Sequence, residues 1–271
     1  MPQSDTVVLM GDKIVDNPVA VLGLGEAGAA IAGDLAAAGV DVRGYDPVER
    51  EVEGVKRSGS AAAAAGGAAL VMSLNAAAVA LDVARDASPG EGQLYADLNT
   101  GPPSLKAELA QAVEPSGARF VDVALMGPVP GNGLRTPCLV SGSGAGDYAE
   151  LLSPLGVPVE VVGDEPGQAA ERKLLRSVFM KGIAAAAIES LAAARAAGCE
   201  EWLHGELAGV FEGASPALLE RLLEGSRIHA ARRVHEMRAA SEMLGDLRVE
   251  PRISDAARGW LEQLEAEAHV G

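Results

Sequence analysis

The chain has 271 residues, is 48% hydrophobic, and carries a formal charge of −16 with an isoelectric point near 4.6. That length can bury a substantial core in one large or two modest domains, and the acidity argues against nucleic acid or an anionic membrane surface as the main partner. Aromatic residues make up only 3%, so Ala, Val and Leu fill the interior, which favours closely packed helices over a large β-sandwich.

The opening "MPQSDTVVLMGDKIVDNP" has no basic region leading into a long apolar run, so residues 1–16 are expected to form an N-terminal extension and not a signal peptide. Beyond it, "PVAVLGLG", "VDVRGYD", "ALVMSLN", "QLYADLN", "RFVDVAL", "PCLVSG" and "PVEVVG" read as strands separated by alanine-rich helical segments. Such a βα repeat predicts a mostly parallel, doubly wound sheet of Rossmann type over residues 17–165. From residue 166 to 271 the strand-like runs stop and helical patterns continue to the end, giving an all-α second domain. Within it Gly198 reads as the residue closing the first long helix, and "ASP" at 214–216 as a serine cap with proline at a helix start. The alanine-rich segments are interrupted by glycine and charge within 20 residues, so no membrane span is expected.

The first strand runs into "VAVLGLGEAGAAIAGDLAAAGVDVRGYDP". Gly23, Gly25 and Gly28 form G-x-G-x-x-G between an apolar strand and an amphipathic helix, the context in which the pattern binds a dinucleotide. The first glycine permits the tight turn, the second lets a pyrophosphate approach the backbone, and the third lets helix and strand pack. Leu24, Glu26 and Ala27 complete that loop, whose amide groups and helix dipole receive the anion. Asp46 stands 18 residues beyond Gly28, at the end of the second strand, where a carboxylate can accept from the adenosine ribose diol and repels a 2′-phosphate. NAD is therefore favoured over NADP, with Arg43 and Arg50 close enough in sequence to oppose that preference. Leu74, Asn75 and Thr100 follow later strands and belong to the same cofactor edge, although Asn75 and Thr100 could equally cap their strands. The glycines of "SGSGAGDYAE" at 141–150 lack both the dinucleotide spacing and a G-K-[ST] ending, and read as a loop entering a helix.

The stretch "RKLLRSVFMKG" places Lys173, Arg176, Ser177 and Met180 at i, i+3, i+4 and i+7, on one stripe of a helix. Hydride transfer at a carbon bearing oxygen or nitrogen needs a proton partner, and a lysine beside another cation can supply one. Arg176 could be that neighbour while binding a carboxylate or phosphate through its fork. The structural alternative is that both cations snorkel, or pair with Glu171 or Glu189. His229 and His235 lie in a basic helical patch best explained as a solvated or intersubunit face, and His204 and His269 have no evident partner. Cys138 and Cys199 show neither disulfide nor metal spacing and read as cytoplasmic thiols, and no metal site is expected.

In this order the motifs resemble the β-hydroxyacid dehydrogenases, the relatives of 6-phosphogluconate dehydrogenase, 3-hydroxyisobutyrate dehydrogenase and the imine reductases. Besides the glycine loop, "DLNTGPP" at 97–103 resembles the D-x-[SN]-[ST]-x-x-P segment, "VDVALMGP" at 121–128 stands where the family has D-x-P-V-S-G-G, and "GQAAERKLLRS" at 167–177 is similar to G-x5-K-x-x-N-N. The resemblance implies that Lys173 is the catalytic lysine and that the protein is a homodimer with a shared cleft, acting on a small-molecule substrate. It also marks a divergent branch with a phosphogluconate-dehydrogenase-like C-terminal domain. Met126 replaces the serine that touches the substrate carboxylate, Pro128 replaces a glycine, Arg176 and Ser177 replace paired asparagines, and His235 and Glu236 stand where Lys-Asp is usual. The expected activity is hydride transfer between NAD(P) and the CH–OH or C=O carbon of a small anionic hydroxy-acid-like substrate, with Gly127, Arg176, Ser177, Met180 and His235 around it. An imine reductase, or an NAD-binding dimer without catalysis, are the alternatives.

Overall fold

The computed structural model describes residues 17–268, so the expected extension at 1–16 and His269 lie outside the described residues. Two compact units part between Arg176 and Ser177. That point lies inside a long helix which begins beside the expected boundary at 165/166.

The first unit is built on eight strands: β1 (Val19–Leu22), β2 (Val42–Tyr45), β3 (Lys56–Arg57), β4 (Leu70–Ser73), β5 (Leu94–Asp97), β6 (Arg119–Leu125), β7 (Cys138–Ser141) and β8 (Val159–Val161). They form one sheet in the order β3-β2-β1-β4-β5-β6-β7-β8, parallel throughout except where β7 runs antiparallel to β6. The seven strand-like runs of the sequence all become strands. β3 is additional, a two-residue exposed edge with no apolar alternation to announce it. The first five helices are α1 (Glu26–Ala37), α2 (Ala61–Ala65), α3 (Ala80–Ala87), α4 (Pro103–Val113) and α5 (Ala145–Leu152).

Side-chain alternation along β1 splits the core between the two sheet faces. Val19 and Val21 join Ile31 and Leu35 of α1 and Tyr148 and Leu152 of α5 on one face. Ala20 and Leu22 join Ala64 of α2, Ala84 of α3 and Leu109 of α4 on the other. The many alanines in the second cluster allow those helices to lie close to the strands without large side chains. Burial of Cys138 in β7 pushes its thiol up to about 12, whereas Cys199 is exposed; neither is in a disulfide.

The remaining helices are α6 (Gln168–Ala197), α7 (Glu200–Glu212), α8 (Pro216–Ile228), α9 (Ala230–Asp246) and α10 (Arg252–Ala268). Gly198 follows α6 with φ +76°, and Ser215 caps α8, accepting from the Leu218 amide at 3.3 Å ahead of Pro216. In the second unit α9 packs on α10, and the carboxylate of Glu189 in α6 holds the start of α10. It accepts from the amides of Ile253 at 2.7 Å and Ser254 at 2.9 Å and from the Ser254 hydroxyl at 2.7 Å. Burial pushes the Glu189 carboxyl up, but these hydrogen bonds outweigh it and leave the group below its usual range. By length and composition alone α6 could cross a membrane, since an 18-residue window reaches a mean hydropathy of 1.4 and is only 11% buried. Lys181, Gly182 and Glu189 still interrupt this helix with charge and glycine.

Candidate active site

The parallel strands bring their C-terminal ends to one edge of the sheet, and most of the candidate residues follow those ends. Gly23 to Gly28 follow β1, Asp46 follows β2, Leu74 and Asn75 follow β4, Thr100 lies three residues past β5, and Met126 and Gly127 follow β6. Ligands bind at this edge in open α/β sheets.

The glycine loop is shaped by close backbone approach. Gly23 has φ +97°, and a Cβ there would lie 2.2 Å from the Leu74 carbonyl oxygen. A Cβ on Gly28 would come within 1.8 Å of the Gly23 carbonyl oxygen, so no other residue fits without moving the turn. At Gly25 a Cβ would meet nothing within 4 Å, which leaves the backbone approachable from outside. No side chain caps the start of α1. These features fit a dinucleotide phosphate: a cradle without side chains, beside a helix start with amide donors to spare. Leu24 is buried, Ala27 is half-buried, and Glu26 points to solvent.

Asp46 ties the loop to β2. Its Oδ2 accepts from the Leu24 amide at 2.8 Å and its Oδ1 from the Val48 amide at 2.8 Å, and Arg50 Nε stands 3.7 Å from Oδ2. A carboxylate has about four lone-pair positions, so each oxygen keeps capacity for a ribose hydroxyl. A hollow of about 400 Å³ next to it is lined by Leu24, Arg50, Glu51, Val52, Glu53, Val55 and Arg57.

Lys173, half-buried on the second turn of α6, donates from Nζ to Thr100 Oγ1 at 3.0 Å. This contact joins the candidate proton-transfer residue to a candidate cofactor-edge residue within the first unit. The Glu189 carboxylate, one of the partners weighed for the α6 cations, is engaged by the start of α10. Arg176 is exposed one turn after Lys173, and Ser177 and Met180 continue the same stripe of α6. Met126 is half-buried and Gly127 exposed at the end of β6; His235 is exposed on α9 in the second unit. Among the described residues no group of His, Cys, Asp and Glu could hold a metal ion.

A second set of residues escaped the sequence reading. Beneath Thr100 lies a buried ionic cluster of Asp97 at the end of β5, Lys106 in α4 and Asp122 in β6, each at most 1% exposed. An ammonium has three donors. Those of Lys106 go to Asp97 Oδ2 at 2.6 Å, the Asn99 carbonyl at 2.9 Å and the Asp97 carbonyl at 3.0 Å. Asp122 Oδ1 is thus a fourth neighbour at 3.2 Å, compensated by charge but without a hydrogen bond. Burial raises the Asp97 carboxyl even against the pull of Lys106. Asn99 extends the cluster, donating to Asp97 Oδ1 at 2.5 Å and accepting from the Asn75 amide at 2.6 Å. The available signal was charge in apolar surroundings: Asp in "LYADLN" and "FVDVAL", and Lys on the buried side of "SLKAELAQAV". Removing one member of such a cluster typically costs about 3–5 kcal/mol, because the others remain buried and charged.

Residues 18–155, just over half of the chain, match the family of the NAD-binding domain of 6-phosphogluconate dehydrogenase. The chain belongs to this family. Residues 194–264 match a second family, described as a domain of unknown function (DUF1932). A curated relative from Methanothermus fervidus, an uncharacterized 28.5 kDa protein in the 7S RNA 5′ region, is 31% identical over 58% of this chain and 61% of its own length. The crystal structure of a conserved hypothetical protein from Sinorhizobium meliloti 1021 is 32% identical, with 91% of this chain and 87% of that chain covered and a TM-score of 0.60. An imine reductase from Aspergillus terreus in complex with NADPH4 and dibenz[c,e]azepine shares the fold at a TM-score of 0.77, covering 93% of this chain and 95% of that chain at 21% identity. Membership in this NAD-binding domain family gives the first unit its character: an NAD(P)-binding domain of the dehydrogenase and reductase type.

Proposed function

We propose that the protein is an NAD(P)-dependent oxidoreductase acting on the CH–OH or C=O carbon of a small anionic hydroxy-acid-like molecule, with Lys173 as general acid and base. The observation that carries this reading is the Lys173–Thr100 hydrogen bond at the C-terminal edge of the sheet. It holds an amine beside the loop after β5, next to the strand ends where the glycine cradle lies. A nicotinamide bound there supplies or takes up a hydride. Lys173 takes the substrate hydroxyl proton during oxidation and returns it during reduction, so the developing charge on oxygen is neutralised. Backbone at Gly127 and the Arg176 fork orient an anionic group, with Met126 beside them. Met126, apolar where a hydroxyl would help hold a carboxylate, favours a second reading as an imine reductase. The test is a panel of small hydroxy acids, oxo acids and cyclic imines followed by nicotinamide absorbance. Turnover of imines with none of any hydroxy acid reverses the ranking, and cofactor binding with no turnover at all favours a non-catalytic dimer.

NAD is the favoured cofactor. The stretch 46–57 carries Asp46, Glu49, Glu51 and Glu53 against Arg50, Lys56 and Arg57, so a 2′-phosphate meets no net positive field. NAD+ is expected to bind at least about tenfold more tightly than NADP+ in calorimetry, a difference of about 1.4 kcal/mol. Tighter binding of NADP+ would make Arg50 and Arg57 readers of the phosphate and Asp46 a purely structural tie.

The free thiols fit a cytoplasmic enzyme. Leu175, Val178 and Phe179 are exposed on one stripe of α6, an apolar surface of the kind that marks a protein contact. We assign it to a second copy of the chain. Light scattering should give twice the 27.5 kDa chain mass, and a monomer at micromolar concentration would remove the dimer from this reading.

A further inference from the structure

We propose that Lys106, Asp97 and Asp122 form a positioning clamp for Lys173, fixing both ends of the Lys173–Thr100 hydrogen bond to one buried ammonium. The inference rests on the reading of Lys173 as the proton-transfer residue only for its significance; its geometry stands without it. On the Thr100 side, the ammonium binds the carbonyls of Asp97 and Asn99, and so fixes the backbone up to the residue before Thr100. On the Lys173 side, Asp122 Oδ2 accepts from the Ala170 amide at 2.9 Å and from Ser141 Oγ at 3.3 Å, while Ser141 Oγ accepts from the Ala169 amide at 3.1 Å. Ala169 and Ala170 are in the first turn of α6, where amide groups have no partner inside the helix. Ala170 sits one turn before Lys173 on the same stripe.

Within one chain, packing alone does not hold this part of α6. From Glu171 to Met180 no residue is buried, and the helix start is fixed by its buried alanines, its amide acceptors and a tight entry at Gly167. Gly167 has φ +100°, and a Cβ there would lie 2.9 Å from the Pro103 carbonyl oxygen at the start of α4, the helix that carries Lys106. A buried ion pair does not stabilise a fold better than apolar side chains of the same size. What this cluster contributes that apolar residues could not is direction: it fixes two backbone segments relative to each other through oriented acceptors and donors. Lys106, Asp97 and Asp122 are therefore positioning residues, acting on chemistry through Lys173.

The test uses the full-length chain and reads the lysine itself. Lys173 acetylation by acetic anhydride is followed by peptide mass spectrometry as a function of pH in the wild type, Asp122→Asn, Lys106→Met and, as a reference, Leu152→Ala. An asparagine at 122 can present its oxygen to the Ala170 amide or to the Lys106 ammonium, but its NH2 group then faces the other donor, so half of the clamp is lost either way. Leu152 belongs to the core on α5 and has no part in the cluster. Lys173 is expected to react about fivefold faster in the two clamp variants and unchanged in Leu152→Ala, with NAD+ affinity retained in all. Equal reactivity in every folded variant, or an equal rise in Leu152→Ala, overturns the clamp. Amide hydrogen exchange of the wild type covers the case in which the variants do not fold: Ala169 and Ala170 should be as protected as the sheet, and rapid exchange there refutes the proposal. If instead Lys173→Ala keeps full turnover while the clamp variants expose the amine, the catalytic reading fails and the clamp survives.

Discussion

Lys173→Ala is expected to lower kcat by about 10²–10⁴-fold, the range over which a positioned proton donor or acceptor accelerates a reaction. The dissociation constant for NAD+ should stay within about twofold, because Ala at 173 leaves the glycine cradle and Asp46 untouched. The side chain is half-buried and reaches the edge of the sheet through Thr100, so truncation removes a functional group without opening the main core. Calorimetry with NAD+ and steady-state rates on whichever hydroxy or oxo acid turns over would measure both effects. Unchanged turnover in the alanine variant defeats the assignment outright.

Lys173→Arg separates charge from proton transfer. A guanidinium keeps the positive charge, but at any pH the protein survives it does not deprotonate. If Lys173 merely attracts an anionic substrate, arginine restores most of the activity. If it exchanges a proton, arginine stays near the alanine level, and the wild type shows opposite pH trends in the two directions. Oxidation requires the free amine and rises with pH through the lysine's titration, whereas reduction requires the ammonium and falls over the same interval.

Much of this arrangement is legible in the sequence because it is written in local patterns. The seven strands follow from apolar runs separated by alanine-rich segments, and Gly23, Gly25 and Gly28 occur in the strand-to-helix context that gives their spacing meaning. Gly198 and Ser215-Pro216 likewise mark helix ends through their own backbone preferences. The ionic cluster is different. Asp97, Lys106 and Asp122 come from three elements, and only the parallel pairing of β5 with β6, with Asp97 opposite Asp122, brings the two carboxylates side by side. No periodicity encodes that register. Likewise, Asp46 reads as a ribose acceptor, but its bonds to the Leu24 and Val48 amides depend on a fold that returns β2 beside β1. The two-residue β3 pairs only at its exposed edge position and has no core-facing pattern to betray it.

Gly28→Ala is expected to damage both the stability of the first unit and its cofactor edge. A Cβ at Gly28 would lie 1.8 Å from the Gly23 carbonyl oxygen and 2.9 Å from its carbon, and neither can yield like the end of a flexible side chain. Relief requires α1 to move away from the turn or the turn to rotate, but Gly23 is itself held by the hydrogen bond its N–H donates to the Tyr45 carbonyl at 2.8 Å and by its close approach to Leu74. Overpacking of this kind costs about 3 kcal/mol, which corresponds to a fall of roughly 6–12 °C in the unfolding midpoint of a unit of this size. Since the displaced atoms are the cradle, NAD+ affinity should fall by at least about tenfold as well, the equivalent of about 1.4 kcal/mol. Gly25→Ala supplies the contrast. Its Cβ would meet nothing within 4 Å, so the folded chain should accept it with little change in melting temperature, while the pyrophosphate, which needs that open approach, should bind more weakly. Thermal melts and NAD+ titrations of the two variants therefore separate the glycine needed by the fold from the glycine needed by the ligand. Equal affinity for NAD+ in wild type and Gly25→Ala would show that the dinucleotide does not lie along this loop.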